Sequence, residues 1–132
     1  MEASKNVLIV TDGTESTQSM AKKIEETLTG CRVVSIQARN FSGAEILPAE
    51  IFFFGCEKPH PPSFEYLEDV LNHINLAGRV CGLFSSGSGD AVNYLSAMVR
   101  DSEVGLCAEP FLASDFSSKD EKIKDWVGAL IH

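Results

Sequence analysis

Positive charge is comparatively scarce in this chain. Its 132 residues hold 11 Lys plus Arg against 19 Asp plus Glu, a formal net charge of −8. Nucleic-acid binding rests on Lys and Arg neutralising phosphates, so that class is not expected. The acidity suits solubility, and it also permits steering toward a basic partner. Long apolar runs are missing too. No stretch approaches the ~20 apolar residues of a membrane span, so no membrane association is expected. Met1-Glu2-Ala3-Ser4-Lys5-Asn6 carries one positive charge ahead of a short apolar run. That is not the pattern of a signal peptide, and cytoplasmic residence is the resulting expectation. No Cys-x-x-Cys pair occurs among Cys31, Cys56, Cys81 and Cys107. Their near-even spacing of about 25 residues matches a repeating strand–helix unit, and they read as reduced, mostly buried thiols. His60, His73 and His132 do not stand at ligand spacing from them, which argues against a zinc site. No Ser–His–Asp set or paired acid and base stands out, so hydrolysis has no support.

What the chain does have is a sharp boundary near its start. Val7-Leu8-Ile9-Val10 is a short apolar run that ends at Thr11-Asp12-Gly13-Thr14-Glu15-Ser16-Thr17, where a helical pattern begins. A buried strand feeding a turn that opens a helix leaves free N–H groups beside hydroxyls. That is the composition of an anion site.

Strand-like and helix-like segments then alternate along the chain. Asn6–Val10 reads as a strand apolar on both faces. Ser16–Leu28 reads as a helix, with Met20, Ile24 and Leu28 four apart and Gly30 at its end. Cys31–Gln37 reads as a second strand, Phe41–Pro48 as a helical turn and loop, and Ile51-Phe52-Phe53-Phe54 as a third strand buried on both faces. After the proline-dense Gly55–Ser63, Phe64, Leu67, Leu71 and Ile74 share a helix face, with Ser63 as its expected cap. Val80–Ser85 is a fourth strand. A polar loop and a helix carrying Val92, Leu95, Met98 and Val99 follow. Val104–Ala113 is expected as a fifth strand broken at Glu109-Pro110, and Lys119–Ile131 as a closing helix with Trp126 in the core. Alternating βα units imply a parallel sheet with helices on both faces. The expected fold is a single α/β domain over 1–132, a three-layer α-β-α sandwich whose five-stranded parallel sheet runs 2-1-3-4-5. Ligands then belong at the carboxyl ends of the strands, in the loops after Val10, Phe54 and Ser85.

On these residues the chain resembles the flavodoxin family, short-chain type. The likeness lies in the hydroxyl loop after strand one, Phe54-Gly55-Cys56, Leu76-Ala77-Gly78-Arg79-Val80, Phe84-Ser85-Ser86-Gly87-Ser88-Gly89-Asp90, and Lys124-Asp125-Trp126. It implies a flavodoxin-like fold and FMN as cofactor. The phosphate would lie at Thr11, Asp12, Gly13, Thr14, Glu15, Ser16 and Thr17. The ring would meet Gly55, Cys56, Glu57, Pro59 and His60 in the second loop, and Ser85, Ser86, Gly87, Gly89, Asp90 and Tyr94 in the third. The family's phosphate motif Ser/Thr-x-Thr-Gly-x-Thr falls on Asp12 to Thr17. Thr14 and Thr17 match it, whereas Asp12 replaces a hydroxyl residue and Glu15 a glycine. The usual stacking aromatics are absent: Pro59 or His60 stands in one place and Asn93 in the other, with Tyr94 one residue late. His60, Phe64 and Tyr94 are the substitutes.

Several residues carry two readings. Thr14, Ser16 and Thr17 fit a capped helix start as well as a phosphate contact. Asp12 fits a turn residue. A receiver-type phosphoacceptor lacks its partners, since strand three ends without an Asp and no Lys follows strand five before Lys119. Tyr94 suits packing or ring contact, His60 an exposed loop or ring contact, Cys56 a buried or a reactive thiol, and Asp90 a cap or a loop-shaping residue. Glu65, Glu68 and Asp69 suit a helix start or a docking surface. The resemblance implies low-potential electron transfer with a redox partner protein, a carrier rather than an enzyme. The alternative is a flavodoxin-like domain that has lost FMN and serves as an interaction or other-ligand module. A small FMN-dependent reductase is a third class.

Overall fold

The computed structural model describes residues 5–87, 89–106, 111–112 and 126. The segment Asn6–Thr11 (β1) is apolar on successive residues because both its faces are covered. Leu8 and Val10 join one hydrophobic cluster, Val7 and Ile9 the other. The same alternation runs through β3 (Ile51–Cys56), where Phe52 and Phe54 face one side and Ile51 and Phe53 the other. It continues in β4 (Val80–Ser85), which sends Cys81 and Leu83 one way and Phe84 the other. Each fully buried Phe in these strands contributes about 1.5–3 kcal/mol relative to exposure. β2 (Arg32–Gln37) is the edge strand, and it is largely exposed.

These strands pair in parallel in the order β2-β1-β3-β4. Helix α1 (Glu15–Thr27) lays Met20, Ala21 and Ile24 on one face of the sheet, beside Trp126. Helices α2 (Glu65–Asn72) and α3 (Gly89–Arg100) cover the other face with Leu67, Leu71, Ala91, Leu95, Met98 and Val99. Trp126 meets Phe53 edge-on at a centroid distance of 5.5 Å.

Where a fifth strand broken at Glu109-Pro110 is expected, two two-residue segments pair with β4: β5 (Gly105–Leu106) against Val80–Cys81 and β6 (Phe111–Leu112) against Phe84–Ser85. Residues 107–110 lie outside the described residues, and so does the expected closing helix apart from Trp126. One expectation needs correction: Ser63 does not cap α2. It sits inside a 3-10 turn, Pro62–Phe64, and Phe64 takes the cap position without a side-chain bond. Proline at the first position of that turn starts the coil earlier than the apolar spacing indicates. Phe41–Pro48, expected as a helical turn and loop, contains a 3-10 turn, Ala44–Ile46, preceded by another at Ala38–Asn40. No helix among the described residues is long and apolar enough to cross a membrane.

Candidate functional site

Parallel pairing brings the carboxyl ends of β1, β3 and β4 to one edge. Thr11 is paired with Gly55, and Cys56 with Ser85. All four are buried, and they form the floor beneath the loops. Gly55 is tightly enclosed: a β-carbon there would fall 2.2 Å from the Phe84 ring. Burial, and then the charge of Asp12, push the Cys56 thiol up to about 12. Cys56 is thus an inert thiol at neutral pH, since the thiolate is the reactive form.

The first loop turns at Gly13, whose φ of +85° is the left-handed region that glycine occupies without strain. Thr14 takes the N-cap position of α1, but its side chain makes no cap bond. Its hydroxyl lies 2.8 Å from Asp12 Oδ1 and 2.8 Å from Thr17 Oγ1. Asp12 Oδ1 also accepts the Thr14 N–H at 3.1 Å, and Oδ2 accepts the Glu57 N–H at 2.8 Å. The Asp12 carboxylate therefore ties the first loop to the second. Ser16 Oγ donates to Ser86 Oγ at 2.8 Å, with Glu57 Oε2 at 3.4 Å, and Thr17 Oγ1 is 3.0 Å from Ser86 Oγ. Residues 69 and 70 positions apart in sequence thus meet at the start of α1. Glu15, in the first turn of α1, is exposed.

The second and third loops touch directly. The Gly87 N–H donates to Ser85 Oγ at 2.9 Å, and a β-carbon on Gly87 would lie 1.9 Å from the Glu57 carbonyl oxygen. Gly89 and Asp90 open α3, both exposed. His60 holds a φ of +55°, and its ring lies 4.5 Å from the Tyr94 ring at 53°. Phe64 approaches Tyr94 from another side at 6.3 Å. Tyr94 is buried and donates its hydroxyl to Glu68. Burial and that bond to Glu68 push its pKa well above the usual phenol value. Asn93 is exposed. A cleft of about 620 Å³ runs along the second loop, with Asp12, Thr14, Glu57, Pro59 and His60 among its walls. Glu65, Glu68 and Asp69 line a separate cleft beside Tyr66 and Arg39. Among the described residues no group of His, Cys, Asp and Glu could hold a metal ion.

Two links escape sequence reasoning. Asp12 to Glu57 spans 45 positions, and Glu68 to Tyr94 spans 26. Neither has a local pattern, because both arise from strand order. The acidic start of α2 is visible in the sequence; that Glu68 turns inward to Tyr94 is not.

No family model matches the chain, and no curated protein matches it. Solved structures do. A flavodoxin of Streptococcus pneumonia TIGR4 superposes with a TM-score of 0.81 at 17% identity, over 97% of this chain and 98% of that one. Oxidised Flavodoxin 2 from Bacillus cereus gives 0.80 at 22% identity, over 96% and 97%. Fusobacterium nucleatum flavodoxin, bound to flavin mononucleotide, gives 0.76 at 15% identity, over 94% and 95%. The chain has a flavodoxin-like fold.

The flavodoxin-like frame allows a test of FMN against these residues. At the start of α1 the donor types suit a phosphate, since the first N–H groups of a helix lack intrahelical acceptors and hydroxyls surround them. At the ring end, His60 and Tyr94 stand too close to admit a third ring between them. An interleaved ring needs about 7 Å, two contacts of about 3.5 Å. The cleft wall of Pro59 and His60 offers an apolar and aromatic face instead. With the two rings in contact, a flavin ring could lie against that wall but not between His60 and Tyr94.

Proposed function

We propose that this chain is a small flavodoxin-like electron carrier that binds FMN at the edge formed by the loops after β1, β3 and β4. One observation carries the reading: Thr14, Ser16, Thr17 and Ser86 converge at the start of α1, beside a cleft walled by Pro59 and His60. The similar fold of a flavodoxin bound to flavin mononucleotide supports it. A bound flavin supplies the electron-transfer chemistry, and the protein supplies binding, orientation and electrostatics. Thr14, Ser16, Thr17 and Ser86 would hold the phosphate end, and Pro59, His60 and Glu57 would border the ring. The carboxylates of Asp12, Glu15 and Glu57 disfavour added negative charge on the flavin, which fits a low potential. The acidic rim of Glu65 and Asp69 would face a basic redox partner.

A second reading, an interaction or other-ligand module without FMN, is favoured by the Asp12 carboxylate. It already accepts the Thr14 and Glu57 N–H groups. Titrating the protein with FMN, followed by flavin fluorescence and calorimetry, decides between them. Tight one-to-one binding upholds the carrier. No binding at high micromolar FMN by folded protein leaves the module.

A further inference from the structure

Glu68 differs from its acidic neighbours at the start of α2. Glu65 and Asp69 are exposed. Glu68 lines the same cleft, beside Tyr66 and Arg39, yet its carboxylate accepts the hydroxyl of the buried Tyr94. The Tyr94 ring in turn meets the His60 ring at 4.5 Å. His60 belongs to the second cleft, and Pro62 and Ser63 are the wall that the two clefts share. Tyr94 therefore links the clefts, with Glu68 at one end and His60 at the other. An O–H aimed at a carboxylate makes a charge-assisted bond, stronger than a neutral one. Without that acceptor the buried phenol would be left with an unsatisfied donor. His60 stands between Pro59 and Pro61, which have no N–H to anchor the loop, and its own φ of +55° is left-handed. That leaves the ring contact with Tyr94 to hold His60 where it walls the cleft.

We propose that Glu68 is a positioning residue for the flavin ring, one that holds the His60 wall in place through Tyr94 from outside the flavin cleft. The inference rests on the flavin-binding reading above. Glu68 itself does not border the ring. It fixes the phenol, the phenol seats the imidazole, and the imidazole with Pro59 forms the face that meets the flavin. Glu65 and Asp69 would act on a docking partner, whereas Glu68 acts on flavin binding with no partner present.

The test compares the wild type with Glu68→Leu, Glu68→Gln and the double variant Glu68→Leu with Tyr94→Phe, by two measurements. Proton NMR of the flavin-free protein follows the His60 ring, one of three histidines, whose signals the ring current of Tyr94 displaces. Fluorescence quenching gives the FMN dissociation constants. Glu68→Leu keeps a side chain of comparable size and leaves the Tyr94 hydroxyl without its acceptor. It is expected to move the His60 signals toward those of an unstacked imidazole and to weaken FMN more than about fivefold. Glu68→Gln offers an amide oxygen to the same hydroxyl, so it should keep His60 stacked and bind FMN at least about threefold tighter than Glu68→Leu. The double variant removes the orphaned hydroxyl along with its acceptor, and it should recover by the same margin. A carboxylate acting through its charge or its packing alone would not be rescued by Tyr94→Phe. Unmoved His60 signals in Glu68→Leu, a smaller loss of FMN affinity, or no recovery in either of the other variants overturns the proposal and leaves the flavin reading standing. Folded wild-type protein that binds no FMN overturns both. If Glu68→Leu does not fold, as judged by circular dichroism, Glu68→Ala takes its place with the same expected outcomes.

Discussion

Gly87 and the Glu57 carbonyl oxygen are in such close register that a β-carbon on Gly87 would sit 1.9 Å from that oxygen. Both partners are backbone, so neither can swing aside as a side chain could. The contact joins the second loop to the third at the point where Asp12 joins the second to the first.

Gly87→Ala is therefore expected to force the two loops apart. Overpacking of this kind costs about 1–3 kcal/mol, read as a lower urea midpoint. On the proposed flavin-binding reading, flavin affinity should fall at least about tenfold in the same variant, since the cleft wall shifts with the loop. Unchanged stability and affinity would show that the loops are not locked together here.

His60 combines strain with a ring contact, and the two can be separated. Its φ of +55° costs a non-glycine residue about 1–2 kcal/mol. Its ring against Tyr94 returns about 0.5–1.5 kcal/mol. His60→Ala loses the ring and keeps the strain, whereas His60→Gly loses both. Chemical denaturation should place His60→Gly above His60→Ala by about 1 kcal/mol. Equal stabilities would mean that the backbone there relaxes once the ring is gone.

Cys56 and Tyr94 both hold their protons more tightly in the folded protein, for reasons led by burial. Folding thus favours the protonated forms. Their contribution is complete below the ordinary values of 9.0 for the thiol and 10.0 for the phenol, and it is lost as pH rises above them toward the folded values, about 12 for Cys56. Urea midpoints measured from pH 7 upward should fall on the alkaline side. Tyr94→Phe should flatten the part of the fall above about pH 10. Parallel declines in the two proteins would remove Tyr94 from the account.

The strands were the easiest part to read from the residues. Val7–Val10 and Ile51–Phe54 are apolar on every position because they lie inside a parallel sheet covered on both faces, and the composition alone signals that. The helix faces of α1 and α3 follow from apolar spacing of three and four. The start of α2 does not, because Pro62 begins a 3-10 turn that the spacing cannot distinguish from helix. The fifth strand is legible in place, on either side of Glu109-Pro110. At the site, the sequence identifies the loops and their hydroxyls, since a loop after a parallel strand must end up at the ligand edge. It also marks Asp12 and Glu15 as foreign to a phosphate loop. Where the Asp12 carboxylate points is decided by the Glu57 N–H, delivered by a neighbouring strand. No window along the chain contains both.

The placement of two aromatic residues on opposite faces of the sheet gives the molecule a pair of built-in optical reporters. Its single tryptophan packs on Phe53 in the layer shared with α1. Tyr94 lies in the other layer, with α2 and α3, next to Phe64 and His60. Indole emission therefore watches one half of the interior, and phenol absorbance, to which the exposed Tyr66 of α2 also contributes, the other. A perturbation that moves only the second signal is local to the half that carries Tyr94, whereas one that moves both has crossed the sheet.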